Sequence, residues 1–349
     1  MDYNISISPQ AERKVKETKS VPFGVQPTEH MFIAEYKDKQ WQNSRIVPFS
    51  DLSMSPFALC FHYGQTVFEG MKAFHMENGK VAIFRPEKHY SRFQKSLDRL
   101  CMPDVPKGLF MEALHQLVQL DAAWVPEEED GALYIRPFMI ASEERLGVKV
   151  ADEYIFMIVC TPSYTYYNKP LRVKVEDHFS RAADGGTGYA KCGGNYGSAF
   201  YPTQLAKEQG FDQVIWTDSK THELIEESGT MNLMFVIDGT LVTAPLSGTI
   251  LDGVTRDSLI AIAKEQGIKV EERPIKHAEI KEALDADKQV EAFGAGTAAV
   301  IAPIQTISMG GKDYTCYTGE DARMYKLAKD LFNIRRGLTA DTHNWNYTI

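Results

Sequence analysis

Residues 185–197 read GGTGYAKCGGNYG and set a single lysine, Lys191, among six glycines. An amine beside so little side-chain bulk suits attack on a small-molecule carbonyl to form a Schiff base, because glycine lets backbone and ligand approach closely. Taken alone, this segment is read more simply as a mobile surface lysine in a glycine-rich loop. Glu226 and Glu227, in ELIEESGTMNLMF, are expected to end a polar loop before a strand. A carboxylate there could hold a ring nitrogen protonated; a solvated acidic turn is the plainer reading. In GTILDGVTRDSL an extended piece turns through Gly253 into a helix opening with Val254, Thr255 and Arg256. Free amides and the helix dipole make that start an anion site, with Thr255 expected as cap and hydroxyl donor, although a cap without ligand reads the same.

VEAFGAGTAAVIAP fits G-x-G-x-x-A through Gly294, Gly296 and Ala299. Pro303 cuts short any following helix, and too little chain remains for a nucleotide-binding domain, so a turn presenting the Gly296, Thr297 and Ala298 amides fits better. Arg85 follows a strand, and Arg136 lies in one between Tyr134 and Phe138, where an arginine pairs with a carboxylate of the protein or of a ligand. The nine histidines show no metal-ligand spacing, and no metal is assigned.

The elements that must position these residues alternate between strand and helix. KVAIFR reads as extended, PEKHYSRFQKSLDRLC as a helix with Pro86 in its first turn, and GLFMEALHQLVQLDAAWV as a second amphipathic helix. ALYIRPFMIA and DEYIFMIVC are strands; TPSYTYYNKPLR, at 161–172, is the expected interdomain linker. Beyond it come the strands RVKVEDHF and DQVIWTD, a helix ending near Gly210, a hairpin at Asp238-Gly239, and a helix stopped by Gly267. Mixed strands, hairpins and helices indicate α+β domains, 1–160 and 173–349.

With 349 residues, 44% hydrophobic and 24% charged, the chain reads as an ordinary globular protein large enough for two domains. A net charge of −9 argues against a general nucleic-acid or membrane-surface binder. Five scattered cysteines suggest neither a disulfide framework nor a metal pair, and the N-terminus has no apolar signal core. A cytoplasmic location is expected.

In family order, FGVQPTEHM, HYGQTVFEGMKAF, FRPEKHYSRF, ALYIRP, LGV, GGTGYAKCGGNYG, EESGTMNLMF, LDGVTRDSL and FGAGTAAVIAP run through nearly the whole chain. Together they resemble the branched-chain amino acid aminotransferases, pyridoxal 5′-phosphate enzymes of fold-type IV. The resemblance implies a smaller N-terminal α/β sandwich domain and a larger C-terminal pseudo-barrel domain. It implies that Lys191 carries the Schiff base and shuttles the proton, that Tyr196 bonds the cofactor's phenolic oxygen, and that Glu227 faces the pyridine nitrogen. Arg85, Val254, Thr255 and Thr297 match the family's phosphate grips, in agreement with the anion site read from the helix start.

By the same resemblance the Thr297–Ala298 turn receives the substrate α-carboxylate. Phe23, Tyr63, Phe68, Tyr134, Leu146, Val148, Tyr166 and Thr230 line a side-chain pocket for Leu, Ile and Val. Arg136 with Tyr63 pairs the γ-carboxylate of glutamate. Tyr63, Leu146 and Val148 reach in from a neighbouring subunit in the family, which implies a homodimer working on amino acids and 2-oxo acids. Asp252 stands where members commonly have proline, and Ala299 and Ala302 replace a cysteine pair found in some animal members. The nearest alternatives are D-amino acid transamination and aminodeoxychorismate cleavage, against which HYGQTVFEGMKAF and ALYIRP speak. A nicotinamide enzyme built on GAGTAA is the rival from another class.

Overall fold

Ala132–Ala141 pairs with Tyr154–Ser163 along its whole length, Ala132 opposite Ser163 and Ala141 opposite Tyr154. This pair is the centre of the first of two sheets in the computed structural model, which describes residues 4–8, 19, 21–164, 167 and 169–349. Across that sheet the strands run Ser6–Ile7, Gln40–Pro48, His30–Lys37, Tyr154–Ser163, Ala132–Ala141, Met71–His75, Val81–Phe84 and Asn346–Thr348. Thr66–Phe68 pairs with Ala132–Ala141 beside them.

Strand alternation sends successive side chains to opposite faces. Leu133, Ile135, Ala73 and Ile83 enter the core, where they join Phe93, Leu97, Phe110 and Leu114 of two helices. The first helix, Pro86–Arg99, buries His89, Arg92, Phe93, Ser96 and Leu97, the i, i+3, i+4, i+7, i+8 stripe of a core-facing helix. The second spans Lys107–Leu120, shorter than its expected reach. Asp121 ends it: its carboxylate takes the His30 amide at 3.2 Å and lies 2.6 Å from His30 Nδ1, and a short 3₁₀ turn, Ala122–Trp124, follows.

The chain divides into two units. One comprises Met1–Tyr166 with Ala190–Gly194 and Ile334–Ile349; the other comprises Tyr167–Tyr189 and Asn195–Asn333. The lysine segment and the C-terminal tail therefore group with the first unit although both lie beyond the expected linker. In the second unit six strands close into a barrel, in the order Ile225–Ser228, Gln213–Thr217, Leu171–Val175, Val300–Met309, Val290–Gly296 and Met231–Ile237. Pairing of Ser228 with Met231 completes the ring. Closure leaves these strands no open edge, so their polar backbone is satisfied without solvent.

Asp238 and Gly239, with φ of 48° and 78°, form the expected two-residue hairpin. Val254–Glu265 is a helix, and Gly267 follows it in the left-handed region at 70°. GAGTAA joins two antiparallel strands, Val290–Gly296 and Val300–Met309, rather than a strand and a helix. The dinucleotide reading is thereby excluded. Among the described residues no helix is long and apolar enough to cross a membrane.

Candidate active site

Lys191 is held by its backbone on both sides. Its amide donates to Ser96 Oγ at 2.9 Å, its carbonyl accepts from the Phe68 amide at 3.0 Å, and Val67 bridges Cys192. Cys192, 3% exposed, packs into the core as a small filler. The Lys191 Nζ then lies 4.7 Å from the centre of the Phe68 ring.

Beneath that segment is a buried ion cluster that the sequence reading did not identify. Glu69, 0% exposed, takes Arg92 Nε at 2.6 Å and Nη2 at 2.8 Å, and lies 2.8 Å from His89 Nδ1. Burial alone would raise the Glu69 carboxyl, but Arg92 and then His89 hold it well below the usual carboxylate range. Burial lowers His89 in turn, against the pull of Glu69. The EG step inside HYGQTVFEGMKAF and the i, i+3 pair in HYSR were the available signals.

Arg136 stands over the same Phe68 ring at 4.8 Å and over Tyr134 at 5.3 Å, and its Nη2 donates to the Tyr134 hydroxyl at 3.1 Å. Phe23 meets Tyr134 edge-on at 5.0 Å. Gly70 leaves room for the Tyr134 hydroxyl, which a Cβ at this position would force to shift. The structure thus brings Phe23, Phe68, Tyr134, Arg136 and Lys191 onto one wall of the first unit. Arg85 caps Pro86–Arg99 with a left-handed φ of 52° and lies 4.7 Å over Trp345. Tyr63 donates to the Leu146 carbonyl; with Val148 these residues are exposed, at 44%, 50% and 79%. Tyr166 lies outside the described residues.

In the second unit Glu226 and Glu227 lie within the buried strand Ile225–Ser228, which corrects the expected polar loop. Their charge suggested solvent, but barrel closure gives both carboxylates internal partners. Glu227 Oε1 accepts from Asn232 Nδ2 at 3.1 Å and the Leu251 amide at 2.9 Å, while Oε2 lies 2.8 Å from Arg181 Nε. Arg181, which no motif marked, also donates to the carbonyls of Gly188 and Thr249. Glu226 takes the Thr249 hydroxyl at 2.5 Å, and burial raises its carboxyl.

Register brings several further candidates to that end of the barrel. Asn232 pairs with Ala295, so the Thr230 turn neighbours the Thr297–Ala298 turn. Gly253 packs so tightly on Asn232 that a Cβ would overlap its amide oxygen. Gly253, not Thr255, is the cap of Val254–Glu265, and Thr255 lies buried inside the first turn without a capping hydrogen bond. An extended glycine already turns the chain here, which displaces Thr255 from the cap position. Tyr196 lies in a short helix, Gly193–Gly197. Asn195, adjacent to it, is tied to Thr187 by two hydrogen bonds of 2.7 and 2.8 Å.

The family profile described as amino-transferase class IV matches residues 66–307. The branched-chain-amino-acid aminotransferase 2 of Bacillus subtilis (strain 168) is 43% identical over 94% of this chain and 92% of its own length. Branched-chain-amino-acid transaminase 1 of the same organism is 41% identical over 95% and 94%. Among solved structures, a T.th. branched-chain amino acid aminotransferase complexed with N-(5′-phosphopyridoxyl)-L-glutamate superposes with a TM-score of 0.74 at 25% identity, over 92% of this chain and 98% of that one. The chain belongs to the class IV aminotransferases and, within them, to the branched-chain aminotransferase family.

Replacing Glu69 with alanine leaves Arg92 and His89 side by side in a dry core. Urea unfolding is expected to show a loss of about 3–5 kcal/mol; a change below about 1 kcal/mol would remove the cluster from the account of stability. Because the folded carboxyl is depressed, its contribution is complete above the ordinary glutamate value of 4.5 and fades as pH falls below it.

Proposed function

We propose that the protein is a pyridoxal 5′-phosphate transaminase. It moves the amino group reversibly from L-leucine, L-isoleucine or L-valine to 2-oxoglutarate. The observation that carries this reading is the Phe68 wall, where a primary amine and a guanidinium lie 4.7 and 4.8 Å from one ring. A nucleophile and a carboxylate receptor thus share one apolar surface.

The donor set fits the cofactor: a buried glutamate oriented by Asn232, Leu251 and Arg181, a helix start capped only by Gly253, and Arg85. When bound, the cofactor supplies an aldehyde and an electron-withdrawing ring. Lys191 contributes the attacking amine and then carries the proton removed from the substrate Cα. Glu227 keeps the ring nitrogen protonated and Tyr196 bonds the phenolic oxygen. Arg85, Val254, Thr255 and Thr297 hold the phosphate.

Phe23, Phe68 and Tyr134, with Thr230, exclude water from an aliphatic side chain, and the Thr297–Ala298 turn receives the α-carboxylate. Glutamate would bury a second charge, for which Arg136 is the counter-ion. The T.th. relative's phosphopyridoxyl-glutamate complex supports that second substrate. The reading includes a cytoplasmic homodimer. The exposed apolar residues Phe57, Phe61, Tyr63, Leu146, Val148 and Val150 support its interface, because such a group rarely faces water unpartnered.

Lys191→Ala is expected to abolish transamination and the visible band that L-leucine bleaches and 2-oxoglutarate restores in the wild type; retained turnover would end the assignment. Arg136→Gln should lower kcat/KM for glutamate about tenfold or more beyond any loss for leucine, and equal losses would deny Arg136 its role. Val148→Asp should shift the assembly toward monomer in light scattering and reduce leucine turnover with it. An intact, fully active dimer would move the interface elsewhere.

A further inference from the structure

Two buried cations of the first unit have been given no role so far. Arg335 is the next-to-last residue of the helix Arg323–Arg336, and Lys72 lies in the strand Met71–His75. Arg336 fixes the helix end by donating to the carbonyls of His75, Glu128, Glu129 and Gly131. That anchorage sets the Arg335 guanidinium 4.4 Å from the Phe84 ring and 5.6 Å from Phe74. Phe84 directly precedes Arg85, and Trp345, edge-on to Phe84 at 5.7 Å, carries the Arg85 guanidinium. Since Ala73 pairs with Ile83, alternation puts Lys72 and Phe74 on the face that Phe84 occupies.

Arg335 is 4% and Lys72 7% exposed. Arg335 has no carboxylate partner among the described residues, and its buried Nε has no hydrogen-bond partner. Burial, then Arg335, lowers Lys72 to about 7; burial, then Arg85, lowers Arg335 to about 9. Cation–π contact with aromatic rings does not compensate a guanidinium for losing water and meeting like charge. A ligand with more than one negative charge would.

We propose that Arg335 and Lys72 join Arg85 in a cradle for the cofactor's 5′-phosphate. This rests on the reading of the protein as a pyridoxal 5′-phosphate enzyme. A phosphate monoester approaches two charges at neutral pH and takes a guanidinium fork in bidentate fashion, which suits several cations at one place. Lys72 stands opposite Tyr134 in the strand pairing, on the face that also carries Arg136.

The test uses the full-length protein with Arg335→Gln and, separately, Lys72→Met. Each is titrated by visible absorbance with pyridoxal 5′-phosphate and with pyridoxal, which lacks the phosphate. Either substitution is expected to raise the Kd for pyridoxal 5′-phosphate about tenfold or more and that for pyridoxal by less than about twofold. Equal weakening of both ligands, or unchanged affinity for pyridoxal 5′-phosphate, overturns the cradle and leaves the transaminase reading standing. A wild-type protein that binds neither ligand overturns that reading itself. Should Arg335→Gln fail to fold, Lys72→Met still decides between these outcomes.

Discussion

The first unit's chemistry depends on a carboxylate that has been taken out of water. Glu69 sits between the strand that ends at Phe68 and the helix Pro86–Arg99, and its carboxylate accepts from Arg92 Nε and Nη2. Desolvating a carboxylate costs several kcal/mol, which a close guanidinium and an added hydrogen-bonding group offset only when their geometry is good. The pairing is therefore an orientation device as much as a source of stability. Four residues along the same helix, Ser96 receives the Lys191 amide, and one residue back along the strand, Phe68 donates to the Lys191 carbonyl. Both anchors of the lysine are thus carried by the two elements that Glu69 joins.

The sheet of that unit separates core from chemistry by parity alone. Odd-numbered Leu133 and Ile135 pack on the helices, while even-numbered Tyr134 and Arg136 form the opposite wall with Phe68. A shift of one residue in register would exchange the two sets, burying Arg136 among leucines and exposing the core. The ten-residue pairing of Ala132–Ala141 with Tyr154–Ser163 is what prevents that shift.

Elements governed by neighbours in sequence were legible before the structure. The helix Pro86–Arg99 follows from its apolar period and proline, and the Asp238-Gly239 hairpin from the left-handed backbone both residues accept. Candidate site residues could be named where several chemical residues share one run, as around Lys191 and Glu227. Arg181 could not, because it stands outside every such run and acquires its neighbours only through packing. Thr255 was misplaced for a related reason: hydroxyl residues cap helices on average, but here Gly253, pressed against Asn232, makes the turn first.

The two adjacent glutamates show how closure of a barrel decides between chemically identical residues. Successive positions of Ile225–Ser228 face opposite ways, so only one of them can look toward Asn232 on the paired strand. Glu227 does, and it gathers an amide, a side-chain amide and a guanidinium, all donors that favour its anion. Glu226 turns the other way to a single hydroxyl; its second oxygen is buried without a hydrogen-bond partner, and burial raises its carboxyl. A ring nitrogen is kept protonated only by a group that stays negative itself. The strand's period and the unequal donors therefore favour Glu227 for that role, a choice that the sequence EES alone could not justify by chemistry.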